Sequence, residues 1–577
     1  HVRINGQRLE IRLSEAHFSP RQSHFQGVIH GLGGTHSFSA RYTGQHWQLN
    51  VQLNGLTLAL LSPLLPPEVA AFSGHVQTRL TLTGNADGIE QLSVNDLKLT
   101  LSADHQQGQW ALAEAQFSGA FSAKHLQSHW HWQGWLRLDA GALYAQPVYL
   151  EVDSEPLTLW AKGRWHRPLL AIDAFAFEHP GAAHVTGFAE LTLGKTIGWR
   201  EGLIRLDTSH LSALGQHYLA PWLGTNWPLQ FSGSGSADLV WRQGTPEKLT
   251  LALDQVNIDD RKGRVQAQAL TARIHWQRQQ TPAPSWLAWQ ELNLFTIPLA
   301  EARLQFMLEG PQLTLAEPAR LPLLGGALSV EDFYWRGTDD EPEVGFQGAL
   351  RDIDLTALSQ ALNWPSFSGR LSGRIPGVRY HNRVLRLQGE LTAQLFDGQV
   401  RLNNLSSSGL FRDFWRLEAD LDLEAIDLAR LTQEFDLGRI EGRLSGFVHD
   451  LVLENGQPSG FFAWLGTPDD DDSPHRISQR AVNALASIGG GGATDTVSRA
   501  LLRFLDTFGY EKLGLGCYLY QGVCQLSGVA PAGDGYYIVK GGGLPRIDVM
   551  GYNLRMDWPV LWQRLQRLFT AESAVVQ

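Results

Sequence analysis

Four stretches of this chain read as a strand, a compact helix and then an alternating strand opened by glycine. The closest copies run from Ile353-Asp354-Leu355-Thr356-Ala357-Leu358 to Phe367-Ser368-Gly369-Arg370-Leu371-Ser372-Gly373, and from Ile426-Asp427-Leu428-Ala429-Arg430-Leu431 to Ile440-Glu441-Gly442-Arg443-Leu444-Ser445-Gly446. Looser copies lead from Leu206-Asp207 through Leu211 and Leu214 to Phe231-Ser232-Gly233, and from Leu56-Thr57-Leu58 through Leu64 and Val69 to Phe72-Ser73-Gly74. A supersecondary unit that recurs along a β-rich chain packs chiefly against its own neighbours. It therefore predicts an elongated, one-dimensional architecture in place of a globular enzyme.

Around these units the apolar residues alternate with period two, as in a half-buried strand. Trp47, Leu49, Val51 and Leu53 point one way while Gln48, Asn50 and Gln52 point the other. Val76, Thr78, Leu80 and Leu82 repeat the scheme. Leu385, Leu387, Gly389, Leu391, Ala393 and Leu395 predict one long strand backed by Arg386, Gln388, Glu390 and Gln394. Leu53-Asn54-Gly55, Phe396-Asp397-Gly398 and Glu454-Asn455-Gly456 read as hairpin turns. With 59 Gly and 20 Trp against 3 Met, the residue palette favours strands and turns. The expected fold is mainly β, a long antiparallel meander with one apolar face.

Such a face is normally buried under a second layer, and little here can form one. The helices of the repeats are short, with Asp354 and Asp427 as N-caps, and the remaining helical patterns lie near the end, over 477–488, 496–508 and 558–569. Roughly thirty uncovered strands must close into barrels, pair as a sandwich, or curl into an elongated open groove. A β-taco-like trough at ~4.8 Å per strand would run on the order of 150 Å. Its apolar floor is tolerated only if occupied, and acyl chains are the natural occupant. The candidate lining is Leu49, Val51, Leu80, Leu82, Leu385, Leu387, Leu391, Leu395, Leu444 and Val448. Gly373, Gly442 and Gly446 either let the sheet bend towards a bound chain or are ordinary bulge glycines. Along the sequence, 1–349 reads as groove, 350–464 as groove with helix-strand units, and 465–577 as a helical and hairpin segment that closes it.

Several functions are disfavoured. The net charge of −11 is spread along the chain with no basic stripe, which argues against nucleic acid. No apolar run approaches the ~18 residues of a membrane span, and the nearest, Leu56 to Leu65, is cut by Pro63. The chain opens at His1 in mid-pattern, as a portion of a longer protein whose anchor lies elsewhere. Gly194-Lys195-Thr196 resembles the end of a P-loop, but Ala189 stands where its first glycine belongs, so a hairpin turn is expected. The run Gly489 to Gly492 follows a helix and stops it. His129 and His131 share a strand face without a third metal ligand, Trp130 and Trp132 take the other face, and Asp469 to Asp472 lacks calcium-loop spacing and reads as a solvated cap for the helix after Pro474. No catalytic residue, metal or cofactor is expected.

Cys517 and Cys524 flank Tyr520-Gln521-Gly522, where a tight turn would set them opposite each other within disulfide reach. A local pair with no other cysteine suits an oxidising compartment; two reduced, buried cysteines are the alternative.

The C-terminal third resembles a known family. Gly438 to Gly446, Leu453 to Pro458, Arg476 to Val482 with the glycine run, Gly535 to Ile547, and Asp557-Trp558-Pro559-Val560-Leu561 with Arg564-Leu565 are similar to the YdbH family of AsmA-like proteins. These in turn resemble bridge-like lipid transfer proteins. The likeness in motif spans roughly residues 350–569 and is architectural before that. It implies a periplasmic groove in a Gram-negative bacterium, tethered to the inner membrane by an N-terminal helix that this sequence lacks. Such a groove conducts phospholipids towards the outer membrane without chemistry. The resemblance also matches the cysteine pair to the family's own. It implies a small outer-membrane lipoprotein that docks by strand addition at the C-terminal end, near 513–550, where an exposed strand edge would recruit it; Tyr518, Leu519, Tyr536 and Ile538 are its candidate contacts. The competing reading is an envelope scaffold or outer-membrane assembly factor of the TamB kind, with a filled interior. A glycan hydrolase using its Trp-rich strands as sugar platforms is a more distant one.

Overall fold

The computed structural model describes residues 2–4, 7–19, 22–59, 69–152, 154–194, 197–223, 229–337, 342–362, 369–409, 414–434, 437–489, 506–543 and 546–570. The chain is mainly β, and it packs as two compact units, His1–Gln290 and Glu291–Gln577.

In the first unit, long antiparallel strands follow one another from Gln7–Phe18 to Val265–Gln277, many by hairpins, with the helical run 211–223 between Ile197–Thr208 and Leu229–Arg242. They include His46–Thr57, Val69–Asn85, Gly88–His105, Trp110–Leu126 and His129–Ala145, then Leu157–His166, Leu169–His179, Ala183–Leu193, Ile197–Thr208 and Leu229–Arg242. Alternation sets the register. Leu49 faces Leu82 and Val51 faces Leu80 on one side, while Gln48 faces Thr83 on the other. Leu53-Asn54-Gly55 is not a turn: the strand runs through it, and the register slips there as a bulge between Leu53 and Leu56. The bulged Asn54 N–H is taken up by His36 Nδ1 at 3.1 Å, so the fold satisfies locally a donor that the ladder drops.

The repeat is reproduced hydrogen bond by hydrogen bond in the second unit. Strands Glu343–Asp354 and Arg416–Asp427 each end in an aspartate, and the helices Leu355–Leu362 and Leu428–Glu434 follow. Asp354 Oδ1 accepts the Ala357 N–H, and Asp427 Oδ1 accepts the Arg430 N–H, both at 3.0 Å, as N-caps do. Leu355 N–H donates to the Gly369 carbonyl and Leu428 N–H to the Gly442 carbonyl, at φ values of +132° and +134° that suit glycine. Just before each helix a residue sits at φ +53°, Asp352 or Ala425, and its N–H is accepted by Ser372 Oγ (2.8 Å) or Ser445 Oγ (3.0 Å). The serine of each Arg-Leu-Ser-Gly motif therefore seals the bulge of the preceding strand. Ile353 and Ile426, each 2% exposed, anchor the two copies. In the first unit, Thr57 N–H donates to the Leu32 carbonyl as Asp354 N–H does to Leu324, and the Leu206-Asp207 copy leads into the helical run 211–223.

The predicted long strand around Leu391 is two short ones, Val384–Leu387 and Leu391–Leu395, broken at Gly389 (φ +90°). Helix Gln479–Gly489 starts later than expected because Arg476–Ser478 pairs as a strand with Ile440–Glu441 and with Thr507–Tyr520. The expected helix over 496–508 lies outside the described residues up to 505, and Thr507 and Phe508 belong to a strand. The glycines 490–492 also lie outside them; helix Trp558–Thr570 stands as read. The acidic run is an anchor for the chain and caps no helix. Asp471 accepts N–H bonds from Arg443 (2.7 Å) and Ser473 (3.0 Å) and pairs with His475 (3.0 Å), while Asp469 pairs with Lys512. Burial pushes the Asp471 carboxyl up, but these bonds outweigh it and hold it at about 2.

Strand Thr507–Tyr520 is the hub of the C-terminal part. It pairs with Gln457–Gly466, Arg476–Ser478, Val523–Gly528 and Gly535–Gly541. Around it Ile426, Ile440, Ile477, Phe508, Ile538 and Val549 form a dry core. Cys517 and Cys524 are joined in a disulfide with Cα atoms 5.7 Å apart. They are diagonal neighbours, Cys517 facing Leu526 and Leu519 facing Cys524, across a hairpin whose turn is Gln521-Gly522.

Candidate functional site: an apolar concave face

In the first unit the apolar halves of successive strands stay in register. Leu82 faces Leu92, Leu92 faces Ala123 and Ala123 faces Trp132; one row over, Leu80 faces Val94, Val94 faces Phe121 and Phe121 faces Gly134. The back carries Thr83 facing Gln91, Gln91 facing Lys124, Lys124 facing His131 and His131 facing Arg164. The sheet curls towards its apolar side around an open cavity of about 540 Å³ lined wholly by apolar residues, from Leu82 and Leu92 through Phe121 and Trp132 to Leu170 and Leu193. That volume lies within the ~300–1,000 Å³ of small-ligand sites.

Large rings lie flat over glycines on the next strand: a Cβ on Gly163 would stand 2.8 Å from Trp132 Cζ2, and one on Gly84 2.6 Å from Trp47 Cζ2. At both positions a backbone carbonyl, of Ala171 or Gly88, stands closer still, so strand and indole together fill the space a side chain would take. Phe121 and Trp132 stack with centroids 6.5 Å apart.

One rim of this face is closed. Ala115 (0% exposed), Leu138 (4%) and Val152 (4%) pack with Tyr218 from the helical run 211–223. The Tyr218 hydroxyl and His179 Nδ1 meet at 2.7 Å. Burial pushes the phenol up to about 12; burial, and then the neighbouring His217, push the His179 imidazole down against the opposing pull of Glu155.

The sequence-derived lining is only partly assembled on such a face. Leu49, Val51, Leu80 and Leu82 are half-buried cross-strand partners on it, and Leu82 lines the cavity. In the second unit Leu385, Leu391, Leu395 and Val448 are half-buried. Leu387 (9%) is buried, and Leu444 (6%) sits inside the C-terminal core, with no surface to offer a lipid. Of the candidate docking residues, Leu519 (1%), Tyr536 (4%) and Ile538 (1%) are buried and Tyr518 alone is exposed. Phe121, Trp165 and Leu170 were not anticipated as lining; the alternation of His129, Trp130, His131 and Trp132 was the available signal. Strand Ala183–Leu193 ends before Gly194, and Lys195 and Thr196, on which the turn reading falls, lie outside the described residues. Among the described residues, no group of three or more His, Cys, Asp or Glu is placed to hold a metal, and no helix is long and apolar enough to cross a membrane.

A curled antiparallel sheet with an accessible apolar cavity is a surface of the class on which hydrocarbon can lie, and among the described residues no acidic, basic or nucleophilic side chain lines that cavity. Comparison with known families agrees with this class. The model of the YdbH-like family, described as intermembrane phospholipid transport protein YdbH, matches residues 4–410, and the chain belongs to that family. The match covers the stretch where the sequence likeness is architectural and ends before the motifs from Gly438 onward. None of the curated proteins compared matches the chain.

Proposed function

We propose that this chain carries phospholipids across the periplasm of a Gram-negative bacterium, from the inner towards the outer membrane, with acyl chains lying on the apolar face of its sheets. The observation that supports this most directly is the 540 Å³ cavity with its unbroken apolar lining, on a chain of an intermembrane phospholipid transport family. Burying a methylene is worth about 0.8 kcal/mol, so a chain on a one-sided floor is held by many small, similar increments and can slide. Transfer then needs no cofactor and no reaction. In this reading an N-terminal helix beyond this sequence tethers the protein to the inner membrane. A small outer-membrane lipoprotein adds a strand at the C-terminal end. The short strands Val549–Gly551 and Arg555–Asp557 each pair on one side only among the described residues, and the exposed Tyr518 faces Gln525, which in turn faces Arg555.

Mass spectrometry of an organic extract of the purified protein tests the reading. Stoichiometric phospholipid is expected. A clean extract from a folded protein would favour a scaffold with a filled interior.

A further inference from the structure

The two rims of the apolar face in the first unit differ in chemistry. At the rim of short hairpin turns, several strands place an inward tryptophan two residues from the turn: Trp47 beside 44–45, Trp130 beside 127–128, Trp165 beside 167–168 and Trp241 beside 243–244. Trp199 stands near the same rim, with its ring 5.2 Å from that of Trp241. Trp130 and Trp165 face each other directly. At the opposite rim the inward positions are small, aliphatic or phenylalanine (Phe117 and Phe177) and packed under Tyr218, while Trp110 stands there against His105.

Trp165 (40% exposed) and Trp199 (52%) keep their indole N–H groups without a protein acceptor among the described residues. Arginines border this row: Arg167 two residues after Trp165, Arg200 after Trp199 and Arg242 after Trp241; Arg242 continues the back-face row of His131, Arg164 and Glu201 at the last position before the 243–244 turn, so its stem reaches the rim over the edge. All three are exposed and close no ion pair among the described residues, although Glu201 stands opposite Arg242 in the register. An indole offers a broad apolar ring and one donor, which suits the boundary where hydrocarbon meets ester oxygen. A guanidinium on a flexible stem reaches over an edge and binds phosphate through paired N–H donors.

The geometry points to a headgroup rail along the hairpin-turn rim: tryptophans at the level of the glycerol esters, and Arg167, Arg200 and Arg242 on the phosphodiester of a glycerophospholipid. This rests on the lipid-carrying reading and adds to it an orientation and a ligand chemistry. Acyl chains run from the tryptophan row inward across the floor, and headgroups leave by this rim and not by the one that Tyr218 closes. A phosphate-free diacylglycerol uses the floor and the indoles but gains nothing from the arginines.

The test uses the full chain and vesicles of phosphatidylglycerol and phosphatidylethanolamine whose acyl chains carry bromine near either the carbonyl or the methyl end. The fluorescence lost in W165F/W199F isolates the two rim indoles. Carbonyl-end bromines are expected to quench that component more strongly; equal or stronger quenching from the methyl end overturns the orientation while leaving lipid carriage intact. No quenching of any tryptophan by either set overturns both. In R167Q/R200Q/R242Q, uptake of phosphatidylglycerol should fall about tenfold while uptake of diacylglycerol holds. An equal loss for both lipids, or none for either, removes the phosphate contact.

Discussion

Phe121→Glu places a carboxylate on the floor of the cavity without touching the fold's core. Phe121 is 37% exposed, so water reaches the new group while the face is empty. The folded protein loses mainly the stacking on Trp132, about 1 kcal/mol. With an acyl chain on top, the carboxylate has no water and no partner, since its cross-strand neighbours are Val94 and Gly134. It must take up a proton to be covered. From an ordinary Glu pKa, that costs about 4 kcal/mol at pH 7, or roughly 500-fold in lipid affinity. The group's pKa rises when lipid binds, so binding recovers as the pH falls. At pH 5 the cost is about 1 kcal/mol, roughly fivefold. Titration with a fluorescent phospholipid at both pH values, beside Phe121→Leu as the apolar control, reads this directly. If F121E binds like the control at pH 7, or its defect does not shrink at pH 5, acyl chains do not lie on this floor.

Three further outcomes concern the elements that hold the site. Ser372→Ala and Ser445→Ala each strip the acceptor from a bulge N–H and should cost about 0.5–1.5 kcal/mol in urea unfolding, the half-buried Ser445 bond more than the exposed Ser372 bond; unchanged stability in both would mean that the bulges are satisfied otherwise. Asp471, held at about 2, lends stability that is fully present above the ordinary carboxylate range and is lost as pH falls towards 2. D471N should therefore be less stable than the parent by about 2.5 kcal/mol at pH 6 and converge with it in acid, and parallel pH profiles would contradict the assignment. Replacing the Cys517–Cys524 pair by serines should lower stability by on the order of 2–3 kcal/mol, the loop-closure value for so short a ring; calorimetry at matched pH measures it.

The repeat was legible because it is local. Asp354 and Asp427 cap helices by the same short bond, and Ser372 and Ser445 occupy equivalent places in a copied phrase, so composition and spacing suffice to find them. Leu49, Val51, Leu80 and Leu82 were legible for a similar reason, since period-two alternation puts them on one face wherever the strands go. Leu444 shows where that logic stops. Its alternation matches that of Val448, yet the later strands fold over it and it becomes core, because burial depends on what arrives from sixty to a hundred residues downstream. Leu519, Tyr536 and Ile538 fail as docking side chains for the same reason: the edge expected at their strands is filled by other segments of the same chain.

The sequence by itself determined the strands, their two-faced character, the capped helices and the family, since all of these rest on near-neighbour chemistry. Only the tertiary structure decided which apolar faces stay open. Curling the first unit's sheet brings Leu82 and Leu193 to one cavity and sets a row of tryptophans along a single rim. The register that does this accumulates over many hairpins and bulges, and no window of the sequence contains it.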